Sequence, residues 1–188
     1  MARVEIRLSG EGGQGIILAG IILAEAAAIY DGKNAVQTQS YGPESRGGAS
    51  KAEVILDEGN IDYPEVQRPQ ILLAMNPEAC EKYAPSLAPG GTLIVDETFV
   101  KEIPKIDGKA YSVPITGIAR EAFKRDIVAN IVALGTVTAL TGVVSRPAIE
   151  QAVLSRVPKG TEDLNRRALE AGLAAGDEII RRVARPSR

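Results

Sequence analysis

Histidine and tryptophan are absent from the 188 residues, and Cys80 is the sole cysteine. Iron-sulfur clusters and common zinc sites need cysteine or histidine in number, so this chain alone furnishes neither metal centre. A Ser/His or Cys/His pair for acyl transfer is equally out of reach. An isolated cysteine is ordinarily a small buried hydrophobe, and Cys80 follows Asn76, Pro77 and Glu78 where a short helix is expected. Basic runs are missing too, and a formal net charge of -2 lacks the footprint of a nucleic-acid binder. Arg3 leads straight into an alternating strand without a charged and then apolar leader, which makes the cytoplasm the expected compartment. The longest uncharged stretch, residues 127–144, reaches membrane-spanning length, yet Asn130, Thr136, Thr138, Thr141 and two glycines make it a buried core helix instead.

What is present is an α/β pattern. A 45% hydrophobic content over this length suits one domain, taken as residues 1–188. Strands are expected at residues 4–8, 35–39, 52–56, 71–75, 93–95 and 110–113, alternating with helices as in a parallel sheet. The first helix, from about Gly15 to Tyr30, is expected to set Leu18, Ile22 and Ile29 against the sheet. Ser145 and Pro147 start a later helix through Ile149, Val153 and Val157, and Leu164 to Val183 form another. The fold class is therefore α/β, a Rossmann-like doubly wound, mostly parallel sheet with a helical C-terminal part.

The turn after the first strand reads Gly10-Glu11-Gly12-Gly13-Gln14-Gly15. It gathers backbone amides at a helix N-terminus, where the helix dipole favours a phosphate. Gly10, Gly12, Gly13, Gln14 and Gly15 are thus candidate ligand contacts, although the glycines also suit a tight strand-to-helix turn and nothing more. An ordinary dehydrogenase would place an acid at the end of strand two, roughly 20 residues on. Gln37, Thr38, Gln39 and Ser40 stand there instead, and no Lys-Ser or Lys-Thr completes a Walker A loop.

The second polar loop, Ser40-Tyr41-Gly42-Pro43-Glu44-Ser45-Arg46-Gly47-Gly48, follows strand two at the carboxyl edge, where doubly wound sheets bind ligands. Ser40, Tyr41 and Arg46 are candidates; the guanidinium of Arg46 offers a fork of donors to a carboxylate or phosphate. An exposed turn with a Glu44 to Arg46 ion pair is the plainer reading. Asn130, near the start of the uncharged helix, either caps backbone or reaches the same cleft.

The two loops in this order and spacing resemble the gamma subunit of the 2-oxoacid:ferredoxin oxidoreductases, the 2-oxoglutarate type most nearly. Lys51-Ala52-Glu53-Val54, the turn at Pro89 and the run Asn130 to Gly135 extend the likeness over nearly the whole chain. The resemblance implies a non-autonomous subunit working with alpha, beta and ferredoxin-like delta subunits, with ferredoxin as electron acceptor and coenzyme A as shared substrate. Thiamine diphosphate, magnesium and iron-sulfur clusters would sit on the partners, since this chain has neither a Gly-Asp-Gly motif nor clustered cysteines. Neither catalytic nor metal-binding residues are expected on this chain. A role for both loops as an interface with the large subunit stays open. So do a pyruvate or branched-chain oxoacid version, a stand-alone nucleotide or acyl-CoA binder that dimerises through Gly172 and Gly176, and a structural spacer.

Overall fold

A computed structural model describes residues 3–40 and 49–184. Six strands, β1 (Val4–Glu11), β2 (Asn34–Ser40), β3 (Ala49–Asp57), β4 (Ile71–Ala74), β5 (Gly91–Asp96) and β6 (Gly108–Val113), lie in the order β2-β3-β1-β4-β5-β6. Pairings β1–β4, β4–β5 and β5–β6 are parallel, but β3 runs antiparallel to both β1 and β2. The sheet is mostly parallel, as expected, with β3 as the one strand that runs against the others. Only eight residues, 41–48, lie between β2 and β3 in sequence, too few for a crossover of a dozen or more, so the two strands return on each other as an antiparallel pair.

The consequence for function is in the edge. Because β2 runs parallel to β1, Ser40 ends on the same side of the sheet as Glu11, with Glu11 opposite Ala49 and Ser40 opposite Lys51. The chain order also reverses between β1 and β4, the kind of point where open α/β sheets hold ligands.

One face of the sheet is covered by α1 (Ile16–Glu25) with its π-helical continuation Ala26–Tyr30, and by α3 (Ile115–Phe123), α4 (Ala129–Thr141), α5 (Arg146–Arg156) and α6 (Glu162–Ala184). The core side of α1 is Ile16, Ala19, Ile22, Leu23, Ala26 and Ala27, while Leu18 and Ile29 are 37% and 65% exposed. That corrects the assignment of Leu18 and Ile29 to the buried stripe: Ile16, Ile22 and Leu23 share it with small residues, and Gly20 passes so close to the sheet that an added Cβ would lie 2.5 Å from Ala52 Cβ. The run from Ala129 to Thr138 is buried throughout, as expected of a core helix, but Ile127 before it is 76% exposed.

The seam between α4 and α6 is built from glycine. A Cβ on Gly172 would come 2.0 Å from the Val132 carbonyl oxygen, and one on Gly135 would come 2.3 Å from that of Leu169. Gly176 meets Ala139 in the same way. These glycines are consumed inside one chain, which overturns the expectation that Gly172 and Gly176 offer a dimer face.

The opposite face is thinner. The helix α2 (Pro77–Tyr83), capped by Asn76 Oδ1 accepting from Ala79 N–H at 2.9 Å, packs Ala79, Cys80 and Tyr83 on Leu72, Leu93 and Val95. Cys80 is buried as expected, and burial pushes its thiol pKa up. Arg7 lies on this face with its Nε donating to Glu53 at 2.7 Å and its other nitrogens to Ser86 and the Val66 carbonyl. Each nitrogen finds an acceptor, the condition for keeping a guanidinium in a protein interior.

Candidate functional site

The glycine turn is held in shape by its own glutamine. Gln14 Oε1 accepts the Glu11 N–H at 2.7 Å, and Gln14 N–H donates to the Glu11 carbonyl at 3.2 Å. A Cβ on Gly10 would lie 2.4 Å from that same Oε1, so a side chain there would displace the glutamine from its place. Among the described residues, nothing lies within 4 Å of a Cβ built at Gly12 or Gly13. Gly13 and Gly15 have φ of 93° and 72°, a left-handed conformation that side chains resist. Gly15 caps α1 without a side chain, and no acid occupies the first turn of the helix. Among the described residues, no side chain caps the positive end of α1.

Asn130 meets this turn from α4, 115 residues away in sequence. Its Nδ2 donates to the Gly15 carbonyl at 3.3 Å, and a Cβ on Gly15 would be 2.5 Å from that nitrogen. Its amide thus bonds backbone, that of the turn of another element, and the side chain also borders the larger hollow beside that turn. Asn130 is only 4% exposed, and its Oδ1 has no hydrogen-bond partner among the described residues.

Two hollows flank Gly13. The larger, about 410 Å³, runs between Gly15, Leu18, Asn130 and Ile131 on one hand and Val157, Pro158 and Leu164 on the other, with Arg125 at its border. The smaller, about 270 Å³, is bounded by Gln14, Phe99, Thr116 and Asp126. The connector between α3 and α4 divides them, carrying Ile127 into both. Its start is marked by Lys124 at φ 57°. Arg120 anchors its far side, Nε and Nη2 donating to the Asp126 carboxylate at 2.8 and 2.7 Å, with the guanidinium 5.3 Å from the Phe99 ring centre. Those hydrogen bonds hold the Asp126 carboxyl below its ordinary pKa. Asp96, fully buried at the end of β5, is spoken for by Thr98 N–H, Thr116 N–H and the Thr116 hydroxyl.

Of the residues singled out from sequence, Gly10, Gly12, Gly13, Gln14, Gly15 and Asn130 come together at the end of β1. Gln14 turns its carbonyl oxygen inward on the loop. Ser40 ends β2 on the same edge, two strand spacings or about 10 Å across the sheet. Tyr41 and Arg46 lie outside the described residues, as does the rest of 41–48. Sequence reasoning missed Leu18, Arg125, Ile127 and the α5–α6 link, which wall the larger hollow. Their only shared signal is large or charged residues beside glycine and proline breaks, which periodicity does not separate from ordinary core.

The family model for pyruvate ferredoxin/flavodoxin oxidoreductase matches residues 5–175. The chain belongs to this family. Among curated relatives, the 2-oxoglutarate synthase subunit KorC of Methanocaldococcus jannaschii is 52% identical over 94% of this chain and 96% of its own length. The solved keto/oxoacid ferredoxin oxidoreductase gamma subunit of Geobacter sulfurreducens superimposes with a TM-score of 0.85 at 52% identity, covering 93% of this chain and 99% of that one. A chain of the 2-oxoglutarate:ferredoxin oxidoreductase of Magnetococcus marinus, solved with 2-oxoglutarate, coenzyme A and succinyl-CoA bound, gives 0.82 at 25% identity. That match spans 95% of this chain and 32% of the larger one, so the same fold occurs there as part of a longer polypeptide. Among the described residues no helix is long and apolar enough to cross a membrane, and no cluster of metal-ligating side chains is found.

Proposed function

We propose that this chain is the gamma subunit of a 2-oxoglutarate:ferredoxin oxidoreductase of the cytoplasm. The complex converts 2-oxoglutarate, coenzyme A and oxidised ferredoxin to succinyl-CoA, carbon dioxide and reduced ferredoxin. The observation that carries the reading is the 52% identity, running almost end to end in both chains, with a relative named for 2-oxoglutarate synthase. A subunit rather than a whole enzyme is meant. With no histidine and one buried cysteine, the donor set does not fit an iron-sulfur cluster, and no Gly-Asp-Gly motif stands ready for thiamine diphosphate and magnesium. Decarboxylation and electron transfer therefore fall to the alpha, beta and ferredoxin-like delta partners.

What remains for this chain is recognition of coenzyme A at the shared site. The open space over Gly12 and Gly13, backed by the positive end of α1 that no side chain caps, suits a pyrophosphate, and Arg46 is placed in sequence to neutralise it. Ser40 ends β2 at the same sheet edge, and Tyr41 follows it in sequence. The test is turnover of the complete enzyme, purified without oxygen, against 2-oxoglutarate, pyruvate and 2-oxoisovalerate under saturating coenzyme A. A kcat/KM highest for 2-oxoglutarate supports the reading, whereas preference for pyruvate or the branched-chain acid overturns the substrate assignment.

A further inference from the structure

The β2 edge of the sheet and the outer side of α1 are left bare together, and we infer that they seat a second copy of this chain, β2 pairing antiparallel with its counterpart about a two-fold axis. The strand is the first observation. No described residue pairs with the outer side of β2, and a sheet edge offers a row of backbone donors and acceptors to another strand. The two edges of the sheet differ. β6 carries Lys109, a charge of the kind that keeps edges apart, whereas Asn34 to Ser40 contain neither a charge nor a proline.

The second observation is the helix beside that edge. Ile22 is fully buried, and two α-helical turns later Ile29 would share its side. The π-helical turn intervenes, Asp31 N–H reaching the Ala26 carbonyl at 3.0 Å, and Ile29 swings outward to 65% exposure with Tyr30 at 42%. Between helix and strand lies a hollow of about 290 Å³ lined by Ile21, Ala24, Ala28 and Ala35, with Ile29 and Gln37 beside them.

Shape and charge decide the occupant. A protruding isoleucine, an apolar hollow and a bare strand share one surface, the combination a two-fold contact needs, since each copy presents the same patch to the other. Ile29 of each copy is then placed to fill the hollow of its partner. With the axis at Gln37, the middle of β2, Asn34 stands opposite Ser40, Ala35 opposite Gln39 and Val36 opposite Thr38, so no like charges meet. Glu25, the charged residue of the hollow, is already paired with Arg156, so the patch asks for no partner of opposite charge. Seven strand residues give a contact only about 23 Å long, and a Kd on the order of 10 μM is expected.

The test is analytical ultracentrifugation of the full chain from well below to well above that Kd, where a reversible dimer is expected. Ile29→Asp, at an exposed position, should weaken the dimer about tenfold or more while the circular dichroism spectrum stays unchanged. Gln37→Cys, once oxidised, should lock the dimer through a disulfide seen on a non-reducing gel. Directly opposed strand residues stand about 5 Å apart, within disulfide reach, and the native Cys80 is buried away from the reaction. A chain that is monomeric throughout, or a dimer that Ile29→Asp leaves intact or Gln37→Cys leaves unlocked, overturns the inference. A monomer whose Ile29→Asp variant no longer assembles with partner subunits overturns it as well, and gives the same face to those subunits.

Discussion

Glycine does opposite work in two regions of this molecule. In the α4–α6 seam, Gly135 and Gly172 exist so that two helix backbones can touch, and a Cβ at either would strike a carbonyl oxygen. In the turn after β1, a Cβ on Gly12 or Gly13 would meet no atom of the described residues. Packing explains the first pair completely and the second not at all. Open glycines at an uncapped helix N-terminus are the arrangement expected where a ligand's phosphate, or another chain, completes the surface.

Substitutions to alanine at these positions should break the comparison if it is wrong. The largest effect is expected at Gly172, where the new methyl meets backbone that cannot swing aside. Gly172→Ala should cost about 3 kcal/mol in urea or thermal unfolding, at the upper end of overpacking penalties. Gly13→Ala meets no atom but must hold φ at 93°, so a smaller loss of about 1–2 kcal/mol is expected from conformational strain alone. Gly12→Ala lacks both penalties, and its stability should stay within about 0.5 kcal/mol of the parent. In the assembled enzyme, however, the same variant should raise KM for coenzyme A several-fold while leaving subunit association intact. A Gly12→Ala enzyme with an unchanged KM would reduce the loop to a turn.

Arg46 sharpens the same contrast from the neighbouring loop. Arg46→Ala is expected to raise KM for coenzyme A in an enzyme that still assembles. Loss of association with an unaltered KM would assign that loop to the interface with the large subunit.

The smallest effect concerns the connector beside the loop. Its Asp126 carboxyl is held below the ordinary value of 3.8 by hydrogen bonds from Arg120. A lowered carboxyl stabilises the fold only while ionised, so the contribution is complete above that value and fades as pH falls through the lowered one. The pair is exposed, its worth is small, and stability between pH 5 and 9 should not respond to it. Carbon-detected NMR titration of Asp126 checks the sign, and a midpoint at or above the ordinary value would contradict it.

Much of this was legible before any coordinates. Strand positions, the helix start at Ser145 and the buried uncharged helix follow from periodicity and capping chemistry, which are local. Strand direction is not local: nothing within Ala49–Asp57 announces that it runs back against β1, because apolar strands of either direction look alike. The same limit explains Leu18 and Gly172. Helical spacing identifies a stripe but not its neighbour, so a leucine beside a hollow passes for core, and glycines pressed against α4 pass for a free face. The glycine turn was visible as a motif, whereas its link to Asn130 exists only in three dimensions.

The most direct test of the central claim is anaerobic affinity purification of this chain from its native cells, with mass spectrometry, iron and thiamine analysis and a viologen-dye assay of what accompanies it. The account predicts stoichiometric partner chains that carry iron and thiamine diphosphate and reduce the dye only when both 2-oxoglutarate and coenzyme A are supplied. A colourless chain that purifies alone, and binds a nucleotide or acyl-CoA tightly without partners, would contradict it.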